Sequence, residues 1–314
     1  MSDAQPGHSR KFGARRAIAT AAVLGAAAVT LVGLSSPAQA AGSRGAGYVW
    51  ANQASAPSYT PSSTYQWNST NAQNTITRSG LGTYTIRYPG LGITGGTVHV
   101  TSYGASSDRC KVQSWGPSGN DQQVNIRCFT LSGAPTDSMF TATYTNVTRV
   151  ASGRKLGYVW AGSPTASAYT PSTTYQGNST GATNTVTRTT AGTYSVTMPG
   201  LSGARGDVQV TAYGTGSEYC KVTGWGPSGT NQNIGVKCFT TAGAPADAMF
   251  TMTYVDRSNI LGVGVCCTPD GNPSAYAWAN QPSAASYAPS STYQFAGFDG
   301  NQGTITRSAV GTYG

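Results

Sequence analysis

The sequence predicts an all-β protein made of tandem β-sandwich domains, with a jelly roll as one form of that sandwich. Each domain carries one disulfide-stapled hairpin. Three observations carry the prediction. Apolar and polar side chains alternate with a period of two in several runs, such as Tyr84, Ile86 and Tyr88 against Thr83, Thr85 and Arg87. Gly, Pro, Ser and Asn punctuate these runs about every 8–12 residues, and no amphipathic helix of useful length follows the N-terminal segment. The whole pattern then recurs at a fixed offset of 110 residues.

The recurrence needs no gap. Gly47-Tyr48-Val49-Trp50-Ala51 matches Gly157-Tyr158-Val159-Trp160-Ala161, and Thr75-Ile76-Thr77-Arg78 matches Thr185-Val186-Thr187-Arg188. Pro89-Gly90-Leu91 matches Pro199-Gly200-Leu201, and the cysteines and Met139-Phe140/Met249-Phe250 keep the offset. The expected organisation is a signal peptide at 1–40, a β-sandwich at 45–148, a second at 155–257, a linker at 258–275 and a partial third copy at 276–314. The first repeat reads as about eight strands, near Gly47–Asn52, Ser63–Asn68, Asn74–Arg78, Thr83–Tyr88, Thr97–Tyr103, Arg109–Trp115, Gln123–Phe129 and Ser138–Tyr144. The third copy keeps Tyr276-Ala277-Trp278-Ala279, Thr292-Tyr293-Gln294 and Thr304-Ile305-Thr306-Arg307. It reaches Gly314 without a counterpart of the cysteine hairpin, and its 39 residues are too few to enclose the same core. Three fates are open for it: unfolded, lending strands to the second repeat or another chain, or a truncated reading frame.

The hairpin Cys110–Cys128 organises each full repeat. With the two cysteines opposed, Lys111 faces Arg127, Val112 faces Ile126, Gln113 faces Asn125, Ser114 faces Val124 and Trp115 faces Gln123. A non-hydrogen-bonded antiparallel pair holds its Cα atoms about 4.5 Å apart, within disulfide reach. A metal site would need histidine or a second cysteine pair nearby, and neither is close in sequence. Cys220 and Cys238 are expected to pair in the same way. In this register the outer face carries Lys111, Trp115 and Arg127, and its copy carries Lys221, Trp225 and Lys237. A tryptophan beside cations suits stacking on a sugar ring and contact with an anionic group. The competing reading is a solvated face with the tryptophan capping the end of the sandwich. Tyr48 with Trp50, and Tyr158 with Trp160, share a strand face and are expected to pack in the core. Arg78, Arg188 and Arg307 read as outward residues at strand ends.

Arg10, Lys11, Arg15 and Arg16 precede the Ala/Val/Leu run Ala17–Leu34, and Ala38-Gln39-Ala40 has the form of a cleavage site. An exported chain beginning at Ala41 is expected, by the general secretory route in preference to the twin-arginine route, with no membrane association once the leader is gone. Removing four basic residues and one acidic residue leaves 15 against 9, a charge of +6. These charges are scattered and do not form the dense patch that sequence-specific nucleic-acid binding requires. An even count of six cysteines fits an oxidising compartment. The adjacent Cys266 and Cys267 have three open fates: a vicinal ring, bonds between chains, or free thiols. Oligomers through these cysteines or through the partial repeat are expected as one outcome.

Catalytic chemistry has few candidates. Charged residues make up 9% of the chain, and the only histidine after the leader, His99, is Gln209 in the second repeat. The carboxylates held at equivalent positions are Asp108/Glu218 and Asp137/Asp247. No metal site or cofactor is expected. The Y-V-W-A…Y-T-P-S…T-[IV]-T-R…G-T-Y…C-K-V…W-G…C-F pattern from Gly47 to Tyr313 resembles secreted repeat proteins of actinobacteria that carry no assigned activity. The T-R…G-T-Y-T section resembles jelly-roll domains of the complement-C1q type. The leading expectation is a secreted, non-enzymatic protein that binds a cell-wall or extracellular glycan or protein, or that is purely structural. Two alternatives stand beside it: a hydrolase using Asp137/Asp247, and an inhibitor of another protein presenting the 116–122 loop.

Overall fold

The computed structural model describes residues 45–147, 150, 153–261, 275–296 and 302–314; the leader and the Cys266–Cys267 pair lie outside them. The described chain is all-β. The first repeat holds β1 (Ala46–Ala51), β2 (Ser58–Tyr59), β3 (Gln66–Asn68), β4 (Thr75–Gly80), β5 (Thr83–Tyr88), β6 (Thr97–Tyr103), β7 (Arg109–Ser118), β8 (Asp121–Phe129) and β9 (Met139–Thr145). The second holds β10 (Lys155–Ala161), β11 (Ala168–Tyr169), β12 (Gln176–Asn178), β13 (Thr185–Thr190), β14 (Thr193–Met198), β15 (Asp207–Tyr213), β16 (Tyr219–Ser228), β17 (Asn231–Phe239) and β18 (Met249–Asp256). One expected strand is corrected at its start. Ser63–Tyr65 is a single 3₁₀ turn, because the Ser62 side chain accepts from the Thr64 backbone N–H and caps it.

Each repeat is a sandwich of a four-stranded sheet on a five-stranded sheet. In the first, β3-β1-β9-β6 faces β7-β8-β5-β4-β2. Inward residues of both sheets form one core, including Val49, Ile76, Ile86, Tyr88, Val124, Ile126, Phe140 and Tyr144. The second repeat builds the same core from Val159, Val186, Val196, Met198, Ile234, Val236, Phe250 and Tyr254. The partial copy repeats the opening hairpins with β19 (Ala275–Ala277), β20 (Ser286–Tyr287), β21 (Gln294–Ala296), β22 (Ile305–Ala309) and β23 (Thr312–Tyr313). Tyr276 pairs with Phe295 there as Tyr48 pairs with Trp67.

The two full repeats share one sheet. The edge of β7 pairs with the edge of β15, so the five-stranded sheet of repeat one continues into the four-stranded sheet of repeat two. This pairing is parallel, with Tyr213 opposite Val112, and the Gly214 N–H donates to the Val112 carbonyl at 2.9 Å.

Cys110–Cys128 and Cys220–Cys238 are bonded, each spanning a sequence separation of 18. The hairpin register holds as expected from Cys110 to Val112 and then shifts. Gln113 is a bulge, so Ser114 falls opposite Asn125 and Trp115 opposite Val124. Thr223 repeats the bulge and sets Trp225 opposite Ile234. A single extra residue turns every later side chain to the other face. Trp115 and Trp225 therefore leave the polar face expected for them and join the face of Val112 and Val222. Replacing Cys110 and Cys128 together by alanine should lower the stability of the first repeat by about 3 kcal/mol on the loop-closure scale. A urea titration of the double variant reads that loss.

Candidate functional site

The most developed site is aromatic and lies where the repeats meet. In β10, the core takes Val159 and Ala161, so Trp160 projects from the opposite face of the sheet. Tyr175 closes the 3₁₀ turn Thr173–Tyr175, and Tyr213 ends β15. Trp160 lies edge-on to both, with ring centroids 5.2 Å from Tyr175 and 5.2 Å from Tyr213. Trp115 of the first repeat enters this socket. Its ring stands 6.1 Å from Trp160, 5.7 Å from Tyr175 and 5.4 Å from Tyr213, edge-on to all three. Such contacts contribute about 0.5–1.5 kcal/mol each beyond the area they bury. The indole N–H donates to the Gly95 carbonyl at 3.0 Å, and Trp115 keeps only 9% of its surface.

Polar contacts surround this seat. Lys111, 4% exposed, reaches Glu218 of the second repeat at 3.2 Å. Burial holds its ammonium below the usual lysine range, and Glu218 acts in the opposite direction. Arg109 lies over the Tyr219 ring at 4.5 Å. His99 rests on the outward face of the second repeat, 2.8 Å from Thr253 Oγ1 and 3.3 Å from Thr211 Oγ1. Thr251 Oγ1 donates to the Val98 carbonyl at 2.7 Å. Gly95 (φ 109°) comes so close to the Thr174 carbonyl that a Cβ would collide with it.

The expected binding residues are thus divided. Lys111 and Trp115 sit on opposite faces of β7 and are both covered by the second repeat. Arg127 opposes Lys111 in the hairpin and lies over the Phe129 ring at 5.4 Å. In the second repeat, Lys221 and Lys237 are opposed, and both approach the Phe239 ring, at 5.6 and 5.8 Å. Trp225 packs on Trp278 at 5.2 Å and Tyr293 at 5.9 Å, a partial version of the same socket. Core packing of Tyr48 and Trp50 is also corrected. Val49 and Ala51 take the inward positions of β1, and Tyr48 and Trp50 face out.

Asp137 and Asp247 are built into clasps. Arg78 Nε donates to both oxygens of Asp137 at 2.8 and 2.9 Å, and its Nη2 lies 2.8 Å from Oδ2. The Gly82 N–H donates to the same carboxylate at 2.8 Å, and Tyr84 Oη stands 3.2 Å away. Asp247 repeats the arrangement with Arg188, Gly192 and Tyr194. The arginine hydrogen bonds hold Asp137 below the usual carboxylate range and Asp247 down to about 2. A carboxylate held this low has no proton to deliver at neutral pH. The first clasp ties the β4–β5 turn to the start of β9, and the second ties the β13–β14 turn to the start of β18. The signal in the sequence is an arginine followed 59 residues later by an aspartate, kept in both repeats. Among the described residues no cluster of three or more His, Cys, Asp or Glu could hold a metal ion, and no helix is long and apolar enough to cross a membrane. No protein-family model, curated protein or solved structure matches the chain.

Two acid responses follow. The Asp247 clasp is fully formed above the unfolded carboxylate pKa of about 4 and is lost as pH falls through the folded value, so stability should drop between about pH 4 and pH 2. Asp247→Asn should flatten that drop and cost about 1–2 kcal/mol at neutral pH, measured by urea unfolding across the pH range. Burial lowers His99 from 6.5 to about 3, which is the reverse case of a base kept neutral. Below about pH 6.5 the undocked state binds a proton that the docked state refuses, so docking should weaken progressively toward pH 3. His99→Gln should remove that dependence in melting curves recorded between pH 7 and about pH 5.

Proposed function

We propose that this is an exported, non-enzymatic structural repeat protein, a spacer of β-sandwich units held in fixed relation by a tryptophan seated in an aromatic socket. The observation that carries the reading is the burial of Trp115 among Trp160, Tyr175 and Tyr213. A flexible string of independent domains would leave that ring free. Here the ring is held together with a shared β-sheet edge, the Lys111–Glu218 pair and the threonine contacts of His99. The two disulfides suit an oxidising, extracellular setting.

Within the earlier expectation, this favours the structural form over the glycan-binding form. The tryptophans proposed to stack on sugars are engaged within the protein, Trp115 fully and Trp225 in part. The clasped state of Asp137 and Asp247 gives the hydrolase reading no support.

The test is to empty the socket from its own side. Trp160→Ala or Tyr213→Ala removes a half-buried ring that packs against the edge of the first repeat's core. Each should weaken docking by about 1–3 kcal/mol, less than the loss of a fully buried aromatic. Limited proteolysis between residues 146 and 154 should accelerate, and small-angle scattering should show a broader spread of distances. Unchanged cleavage and scattering would sink the reading. Recovery of the chain from the medium with Ala41 at its N-terminus would bear out export; retention with residues 1–40 attached would contradict it.

A further inference from the structure

The same acceptor face exists on the first repeat, and no described residue fills it. Trp50 stands 4.7 Å from Tyr65 and 5.0 Å from Tyr103, both edge-on, close to the 5.2 and 5.2 Å of the occupied socket. The open cleft measures about 480 Å³, against about 150 Å³ left around the seated Trp115. Tyr65 and Tyr103 are 51% and 50% exposed. The surrounding threonines make the same comparison. Thr251 and Thr253 are buried under the first repeat, whereas their counterparts Thr141 and Thr143 are not. The site is preformed, so binding there orders little.

The matching donor face exists on the second repeat. The outer edge of β16 is unpaired among the described residues, although its counterpart β7 uses that edge to pair with β15. Lys221, the counterpart of the buried Lys111, is exposed, as is Gln209, the counterpart of His99. Trp225 is only half covered: among the described residues of the partial copy, Trp278 and Tyr293 are the rings that meet it. Trp278 itself stays 39% exposed.

We propose that the open socket of Trp50, Tyr65 and Tyr103 receives Trp225 of a second copy of this chain. Copies then associate head to tail with the geometry that joins repeat one to repeat two. The inference rests on the structural reading above. Transferring the contacts by the offset of 110 residues sets β16 of one copy parallel to β6 of the next, with Val222 opposite Tyr103. It also brings Lys221 to Asp108, as Lys111 meets Glu218, and Gln209 to Thr101 and Thr143. Such an interface joins two different faces and does not close on itself, so it propagates into a filament. One position works against it. Arg205 stands where Gly95 approaches Thr174, and its side chain runs 3.6 Å from Asp256. That substitution weakens the contact between copies relative to the contact within a chain.

Sedimentation velocity on the full chain from a secreting host tests the proposal by complementation. Trp225→Ala keeps the socket and loses the donor ring; Tyr65→Ala with Tyr103→Ala does the reverse at exposed positions. Each alone should associate at least about 30-fold more weakly than the unaltered chain, as expected for a central aromatic contact. An equimolar mixture should form a dimer and nothing larger, because only one of its two interfaces is intact. Arg205→Gly, and separately Trp278→Ala with Tyr293→Ala, should each strengthen association. The proposal is overturned if the mixture stays monomeric, if Trp225→Ala associates like the unaltered chain, or if the Trp278/Tyr293 variant is monomeric at every concentration. Saccharide binding at Trp50 by a monomeric chain would equally overturn it. Proteolysis between the two full repeats separates these failures: if the unaltered chain is cut there more slowly than Trp160→Ala, the structural reading survives and only the contact between copies is lost.

Discussion

A one-residue bulge at Gln113, repeated at Thr223, is the constraint on which the arrangement of the molecule depends. Without it, Trp115 would stand on the outer face of its hairpin beside Lys111 and Arg127. With it, the indole shares a face with Val112, joins the edge of its own core and meets the rings of the second repeat. The bulge also increases local twist in the strand through which one repeat's sheet continues into the next. The parallel pairing of β7 with β15 begins at Val112, the last residue before the register shifts. Both components of the junction, the aromatic seat and the main-chain pairing, therefore originate within four residues of one strand.

The disulfide and the clasp keep that strand in place from within the repeat. Cys110–Cys128 fixes the register of β7 on β8 just before the bulge, so the shift cannot relax by sliding the hairpin. Arg78–Asp137 ties the β4–β5 turn to the segment leading into β9, at the end of the sandwich where Tyr84 and Phe140 pack. Its energy is modest, because both side chains retain solvent contact. Its geometric effect is larger: one carboxylate satisfies an arginine, a backbone N–H and a neighbouring hydroxyl, and so terminates two sheets together.

Much of this was legible in the sequence. Alternation located most strands, the offset of 110 gave the duplication, and the cysteine spacing gave the staples. The hairpin register was legible only to Val112. A strict period of two put Ser114 in the apolar row and Trp115 in the polar row, and that pairing of a serine with the core was the trace of the bulge. An odd interval of three between Val112 and Trp115 can place both on one face only if a residue is extruded. The junction was less legible for a deeper reason. Thr141 and Thr251 occupy equivalent strands in nearly the same local sequence, yet one is exposed and the other fully buried. No pattern confined to one repeat can distinguish them, because the difference lies in what the neighbouring repeat covers.

Divergence between the repeats follows the same logic. Many residues are kept in both copies: the cysteines, the clasp, Tyr84/Tyr194 and Phe140/Phe250 of the cores, and the three rings of each socket, whereas core Tyr88 becomes Met198. Where the faces meet different surroundings, residues change. His99, buried against threonines, becomes exposed Gln209, and a neutral amide there carries none of the proton cost that a buried imidazole incurs on acidification. Gly95, pressed against the Thr174 carbonyl, becomes Arg205, which needs space and finds Asp256 instead. The docked face within the chain and its exposed counterpart on the second repeat therefore differ by a few substitutions on an otherwise common surface. A face that must never separate can tolerate a glycine and a buried histidine. A face that stays accessible gains from a charge and an amide that remain soluble when it is free.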